Sequence, residues 1–176
     1  ESSVYEVGMK ARFEKGAFNI TYFDQTIEGF QSSIFQGTGF VLANAGQQTT
    51  TGIEFDSVYN PTENLTLSLA GSFLDPVYDS FERGSGIRGV PNDPTDPNYP
   101  YVDSLDGTVD LSGQKPAGIH EKTLVAGIKY DFELASGSYA YVRADYIYES
   151  KVRIVRNTPP TLTREVGTLN ASAGLT

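Results

Sequence analysis

Apolar and polar residues alternate along seven separate stretches of this chain. Between Ser3 and Glu14, the residues Tyr5, Val7, Met9, Ala11 and Phe13 fall on one side, and Glu6, Gly8, Lys10, Arg12 and Glu14 on the other. A period of two predicts a β-strand whose faces meet different surroundings. A second stretch, Ala17 to Phe30, sets Phe18, Ile20 and Tyr22 against Asn19 and Thr21. Its phase breaks after Phe23, where a bulge is predicted. The third opposes Ile53, Phe55, Ser57 and Tyr59 to Gly52, Glu54, Asp56 and Val58, and the fourth opposes Leu65, Leu67, Leu69, Gly71 and Phe73 to Thr66, Ser68, Ala70 and Ser72. In the fifth, Leu124, Ala126, Ile128, Tyr130 and Phe132 alternate with Thr123, Val125, Gly127, Lys129 and Asp131. The sixth sets Ala140, Val142, Ala144, Tyr146 and Tyr148 against Tyr141, Arg143, Asp145 and Glu149, and a seventh runs from about Val166 to Thr176.

The connections alternate as regularly as the residues. Short turns are predicted at Glu14-Lys15-Gly16, at Asn60-Pro61-Thr62-Glu63-Asn64 and over Glu133 to Ser138. Longer loops are predicted from about Gln31 to Thr49, from Pro76 to Ile119, and around Asn157-Thr158-Pro159-Pro160. Every short turn then lies at one end and every long loop at the other, the layout of an up-and-down barrel crossing an outer membrane. Phe13, Phe18, Tyr59, Tyr130 and Phe132 all lie near the short turns, where an aromatic girdle at the membrane boundary would sit. The polar sides carry mixed charge, including Lys10, Arg12, Glu54, Asp56, Lys129, Asp131, Arg143 and Asp145. That suits a hydrated lumen and equally a solvated sheet. A soluble β-sandwich also alternates, but its Greek-key connections mix hairpins with crossovers, which strictly alternating loop lengths do not favour.

Composition taken alone would suggest a soluble protein, with 39% hydrophobic residues and a mean hydropathy of −0.29. No apolar run exceeds four residues, so a transmembrane helix is excluded, whereas a barrel strand needs only every second residue apolar. The net charge of −9 argues against nucleic acid as a partner. The chain has no cysteine, which removes disulfides and thiolate metal sites. Glu1-Ser2-Ser3 leads straight into strand pattern without a signal-peptide profile, the beginning expected of a piece of something longer.

Residues 44–81 carry the most specific arrangement: Asn44-Ala45-Gly46, then Gly52 and Glu54 within a strand, Pro61 at a turn, Leu65 to Leu69, and Leu74, Asp75, Tyr78 and Phe81. In order and spacing this resembles the late barrel strands of TonB-dependent outer-membrane receptors. The opening stretch, residues 111–132 and residues 141–152 resemble the strands that precede and follow, so the likeness covers nearly the whole chain. The resemblance implies an all-β fold: about seven antiparallel strands of a transmembrane barrel that has about 22 when whole. Residues 1–176 would be part of the barrel domain, with 76–119 as a long extracellular loop and no plug domain. The implied function is capture of a scarce solute (an iron–siderophore complex, cobalamin or a glycan) and its import with energy from the TonB complex, engaged through parts absent from this chain. Outer-membrane lipid and the solute would be the partners, the bacterial outer membrane the location, and no cofactor or catalytic residue is implied. The chain departs from a complete receptor in lacking the plug, the segment that engages the energising partner, and the closing strands. The alternatives are a passive porin-type channel and a soluble all-β module, perhaps for carbohydrate; an enzyme is the remotest.

Candidate chemistry is sparse. Gly84-Ser85-Gly86-Ile87-Arg88-Gly89 matches G-x-G-x-x-G, but Val90-Pro91-Asn92-Asp93-Pro94 follows, and a dinucleotide fingerprint needs a helix there. His120 is the only histidine, with no Ser or Cys motif around it, and reads as a polar residue at the membrane boundary. Asp79, Asp93, Asp96, Asp103, Asp106 and Asp110 make the long loop oxygen-rich without calcium-loop spacing, so no metal site is expected. Arg83, Arg88, Tyr99 and Tyr101 are the candidate ligand-binding residues of that loop, because guanidinium groups and aromatic rings grip anionic or ring-bearing solutes. With Tyr78 and Phe81 they could instead pack the loop on itself, the weightier reading for a loop of this length. The sequons at Asn19, Asn64 and Asn170 lie in or beside strands and are discounted.

Overall fold

The computed structural model describes residues 1–36, 39–44, 46–87, 94–96, 99–101, 108–135, 137–155 and 158–175. Among these residues eleven strands follow one another: β1 (Ser2–Phe13), β2 (Gly16–Glu28), β3 (Gln31–Gln36), β4 (Gly39–Asn44), β5 (Gln47–Thr62), β6 (Leu65–Ser80), β7 (Gly84–Ser85), β8 (Thr108–Val109), β9 (Lys122–Glu133), β10 (Tyr139–Arg153) and β11 (Thr163–Leu175). No helix occurs among the described residues. Seven strands form one sheet in the order β1-β2-β5-β6-β9-β10-β11, each antiparallel to its neighbours. These are the seven alternating stretches of the sequence.

The turns follow from local chemistry. Glu14 and Lys15 make a two-residue hairpin closed by the Phe13–Gly16 pair. A Cβ at Gly16 would stand 2.3 Å from the Val58 carbonyl, so only glycine lets β2 and β5 approach there. Pro61 falls where the β5–β6 register shifts between Tyr59 and Thr62, a place that needs no ladder donor. Gly137, at a φ of 79°, turns the chain between β9 and β10.

Three expectations need correction. First, β2 carries no bulge: it pairs without a shift to β1 and to β5 over its whole length. Phe23 stays on the polar face because Gly52, its partner across the ladder, leaves room for the ring. A Cβ on Gly52 would lie 2.7 Å from the Phe23 ring and 2.8 Å from a Leu74 methyl. Second, the stretch 31–49 is not all loop, since β3 pairs with β4 as a separate hairpin and β5 already begins at Gln47. Third, β6 runs on to Ser80, and the long connection contains the short β7–β8 pair.

The sheet separates two environments. Its apolar face is uncovered, with Tyr5 76% and Leu169 70% exposed. The register reveals how the strands lean. On β1 the apolar band opens at Tyr5, which aligns with Asp24 on β2; on β9 it opens at Leu124, which aligns through Gly71 and Phe55 with Ile20. Asp24 and Ile20 are four residues apart, so the band slips four residues over four strand-to-strand steps. At about 3.3 Å per residue and about 4.8 Å between strands, this corresponds to a tilt of roughly 35°, as in closed barrels. Two aromatic rows border the band. Phe13 and Tyr59 lie 6.3 Å apart, and Tyr130 and Phe132 6.2 Å apart, at the short-turn end. Tyr5, Tyr22, Phe73 and Tyr148 border the other end, with Tyr22 and Phe73 level in register.

Among the described residues a buried cluster forms at the long-loop end. Tyr78, Phe81, Val109 and Leu111 form a buried cluster, joined by Phe30 and Tyr101. Phe81 meets Phe30 and Tyr78 edge-on, with ring centres at 5.5 Å and 5.0 Å.

Candidate functional site

Alternation along each strand sends the polar side chains to one face, and the register sets them in rows. Glu54 and Asp56 on β5 stand beside Thr21 and Asn19 on β2. The Asn19 amide donates to both Asp56 carboxylate oxygens, at 3.1 Å and 2.9 Å. Ala70 and Ser72 on β6 are small, and the space they leave opens a hollow of about 280 Å³ before these carboxylates. Nearer the short turns, Lys129 and Arg143 face each other directly across β9 and β10. Like charges so placed repel, and each turns to a carboxylate on its own strand. Lys129 donates to Asp131 at 2.9 Å, and Arg143 donates to both Asp145 oxygens at 2.7 Å and 2.8 Å. Lys129 also lies 5.5 Å from the Tyr141 ring centre. The wall is thus studded with self-neutralised pairs, suited to a wet surface.

The long-loop end holds a second group. Lys115 bonds to Asp75 and approaches Glu121 at 3.3 Å, tying the loop to the ends of β6 and β9. Asp75 chiefly holds the Lys115 ammonium above its ordinary pKa, with Glu121 adding to the effect and burial opposing it. His120 lies two residues before β9 rather than within its start; its Nδ1 bonds the Ser150 carbonyl and its Nε2 stands 4.0 Å from Glu149. Arg153 at the end of β10 is only 9% exposed, and its guanidinium lies 3.9 Å from the centre of the Tyr101 ring.

The loop residues expected to bind ligand are not all alike in placement. Arg83 is exposed in the turn after β6, and Tyr99 is 43% exposed. Tyr101 is half-buried, its ring beneath Arg153 and its hydroxyl donating to Gln114 at 3.4 Å. Arg88 lies outside the described residues, as do Asp93, Asp103 and Asp106. Gly84 and Ser85 form β7 rather than a turn entering a helix, and Leu111 fills the space a Cβ at Gly84 would need. Asp79 accepts from Thr49 at 2.6 Å, and Asp110 from the Ser112 amide at 2.8 Å. Among the described residues no group of three or more His, Cys, Asp or Glu side chains could hold a metal. Arg153 escaped the sequence reading, because an arginine in a loop-flanking strand carries no local sign of burial.

A family model, TonB dependent receptor-like, beta-barrel, matches residues 1–176. The chain belongs to the TonB-dependent receptor-like β-barrel family. The fold is similar to the crystal structure of BauA, the ferric preacinetobactin receptor from Acinetobacter baumannii, with a TM-score of 0.63 and 17% identity. The likeness covers 98% of this chain and 22% of that one, so this chain spans about a fifth of that receptor's length. No curated protein matches the sequence. In barrels of this family the apolar side of the sheet faces lipid and the polar side the lumen, and this sheet has two such sides. That assignment accounts for the uncovered apolar band and its aromatic borders. It also accounts for the free edges. Seven is odd, so β1 and β11 run in the same direction, and closing one on the other would make a parallel pair. Their exposed ladders need other strands of the barrel.

Proposed function

We propose that this chain is late barrel wall of an outer-membrane receptor that captures a scarce solute and imports it with energy from the TonB system. The observation carrying the proposal is the family match over residues 1–176 on a sheet whose faces divide apolar from charged side chains. The short-turn end would be periplasmic and the long-loop end extracellular, the usual arrangement of such barrels. The connection between β6 and β9 would then be an extracellular loop, and the plug would belong to the receptor outside this segment. An iron chelate is the solute class we favour, because the similar fold of BauA serves a ferric siderophore. Arg83 and Tyr99 offer exposed cationic and aromatic groups to such a solute, with Arg88 beside them in sequence and Tyr101 beneath Arg153.

The test is uptake of radiolabelled iron chelates by cells carrying or lacking the full-length gene, with and without a working TonB. Saturable uptake lost in either deletion is the expected result. Uptake that survives loss of TonB and never saturates would replace the receptor with a passive channel. Gene-dependent uptake of cobalamin or a glycan instead of iron would change the solute class alone.

A further inference from the structure

We propose that Arg153 is the positioning residue that ties the long connection to the end of β10, with Tyr101 as its anchor in that connection; the functional part rests on the capture role proposed above. Arg153 comes from the strand beyond the loop, so its contacts join separate parts of the barrel rim. Its guanidinium lies 3.9 Å from the centre of the Tyr101 ring, and its carbonyl accepts from the Gly118 amide at 2.8 Å. A guanidinium is weakly hydrated and planar, which lets it stack on a ring where an ammonium would hold its water. The stack helps a cationic side chain to sit here with only 9% exposure.

Tyr101 gathers the rest of the loop. Its carbonyl accepts from the Ile87 amide at 2.5 Å, its hydroxyl donates to Gln114 at 3.4 Å, and its ring packs against the buried cluster of Tyr78, Phe81, Val109 and Leu111. Residues 87, 114 and 118 along the connection are therefore bonded to Tyr101 or to Arg153, the first and last through backbone carbonyls. Tyr99, two residues away, is thereby presented outward from a fixed base. A loop tethered in this way meets its solute with less ordering left to do, which favours affinity over maximal rate.

The experiment uses the full-length receptor in outer-membrane vesicles, digested with proteinase K, with cleavage inside residues 76–119 followed by mass spectrometry. Arg153→Ala should speed that cleavage about tenfold, the loss of one desolvated stack. Arg153→Lys should not rescue it, because charge without a planar face cannot stack. Tyr101→Phe keeps the ring and loses only the long bond to Gln114, so it should speed cleavage far less than Arg153→Ala. Heat-modifiable migration on gels verifies that each variant barrel is folded. Unchanged loop cleavage in Arg153→Ala, or full protection in Arg153→Lys, would overturn the proposal. In a second arm, uptake of radiolabelled ferric siderophores should show a raised half-saturation concentration in Arg153→Ala at an unchanged maximal rate. A loosened loop with unchanged half-saturation would overturn the positioning role. Absence of uptake in wild-type cells would count against the iron-chelate reading, while the cleavage arm would still decide the clamp.

Discussion

Leu69 is the most direct place to test which side of the sheet meets lipid. It sits at the centre of the apolar band on β6, four residues from Leu65 at the short-turn border and four from Phe73 at the other. Four residues span about 13 Å along a strand, or roughly 11 Å of depth at a tilt near 35°. An arginine placed there reaches neither interface well, even with its stem extended. Leu69→Arg should therefore destabilise the folded barrel by about 2–4 kcal/mol, while Leu65→Arg and Phe73→Arg, at the borders, should cost about 0–1 kcal/mol for the charge itself. Ala70→Arg, one residue on but facing the lumen hollow beside Asp56, should stay within about 0.5 kcal/mol of wild type. The assay is urea titration of the full-length receptor folded into phospholipid vesicles, with the folded fraction read from heat-modifiable gel migration. The peak of cost at Leu69 along one face is the signature of depth in a membrane. An equal cost at Leu69 and Ala70, or a cost that does not fall toward Leu65 and Phe73, would refute the face assignment and the membrane geometry with it.

Other perturbations test the packing. Gly71→Ala should destabilise by about 1–3 kcal/mol, since its Cβ would stand 2.7 Å from the Thr123 carbonyl. Gly52→Ala should cost less, because there it meets only the Phe23 ring and a Leu74 methyl; the same urea titration ranks the two. Phe81→Ala, at a residue 1% exposed, should weaken the loop cluster by about 3–5 kcal/mol, seen as proteolysis confined to the loops while the barrel stays folded. The Lys115 contacts with Asp75 and Glu121 should respond to alkali. Lys115 has a raised pKa when folded, so the contacts contribute fully below the ordinary lysine value of 10.5 and are lost as pH climbs through the raised one. Amide protection at residues 113–121, taken relative to the base-catalysed intrinsic exchange rate at each pH, should stay flat from neutral pH to that range and fall beyond it more than in Lys115→Met. A flat difference between the two proteins would remove the electrostatic tie.

The seven sheet strands were legible in the sequence because each lies between two solvents, and that demand is imposed residue by residue. Leu65 to Phe73 alternate whatever the rest of the chain does, and the two-residue turn at Glu14 and Lys15 is equally local. The candidate site was legible only in part. Arg83 and Tyr99 were named from residue type and proved exposed, but nothing near Tyr101 announced that its ring would lie beneath an arginine from a strand some fifty residues on. Nor does QSSIFQ or GFVLAN alternate in a way that separates a hairpin from a loop.

Phe23 shows the division most clearly. Its place on the polar side breaks the alternation, and a bulge is the local remedy, yet the strand runs on unbroken. The ring fits because Gly52, twenty-nine residues later, lies beside it in register and lacks a side chain. Periodicity depends on each residue's own surroundings, so the sequence by itself determined the seven strands of the main sheet and their order. Which residue fills the space beside a glycine, or lies beneath a buried guanidinium, depends on register and long-range packing, and only the tertiary structure decided that.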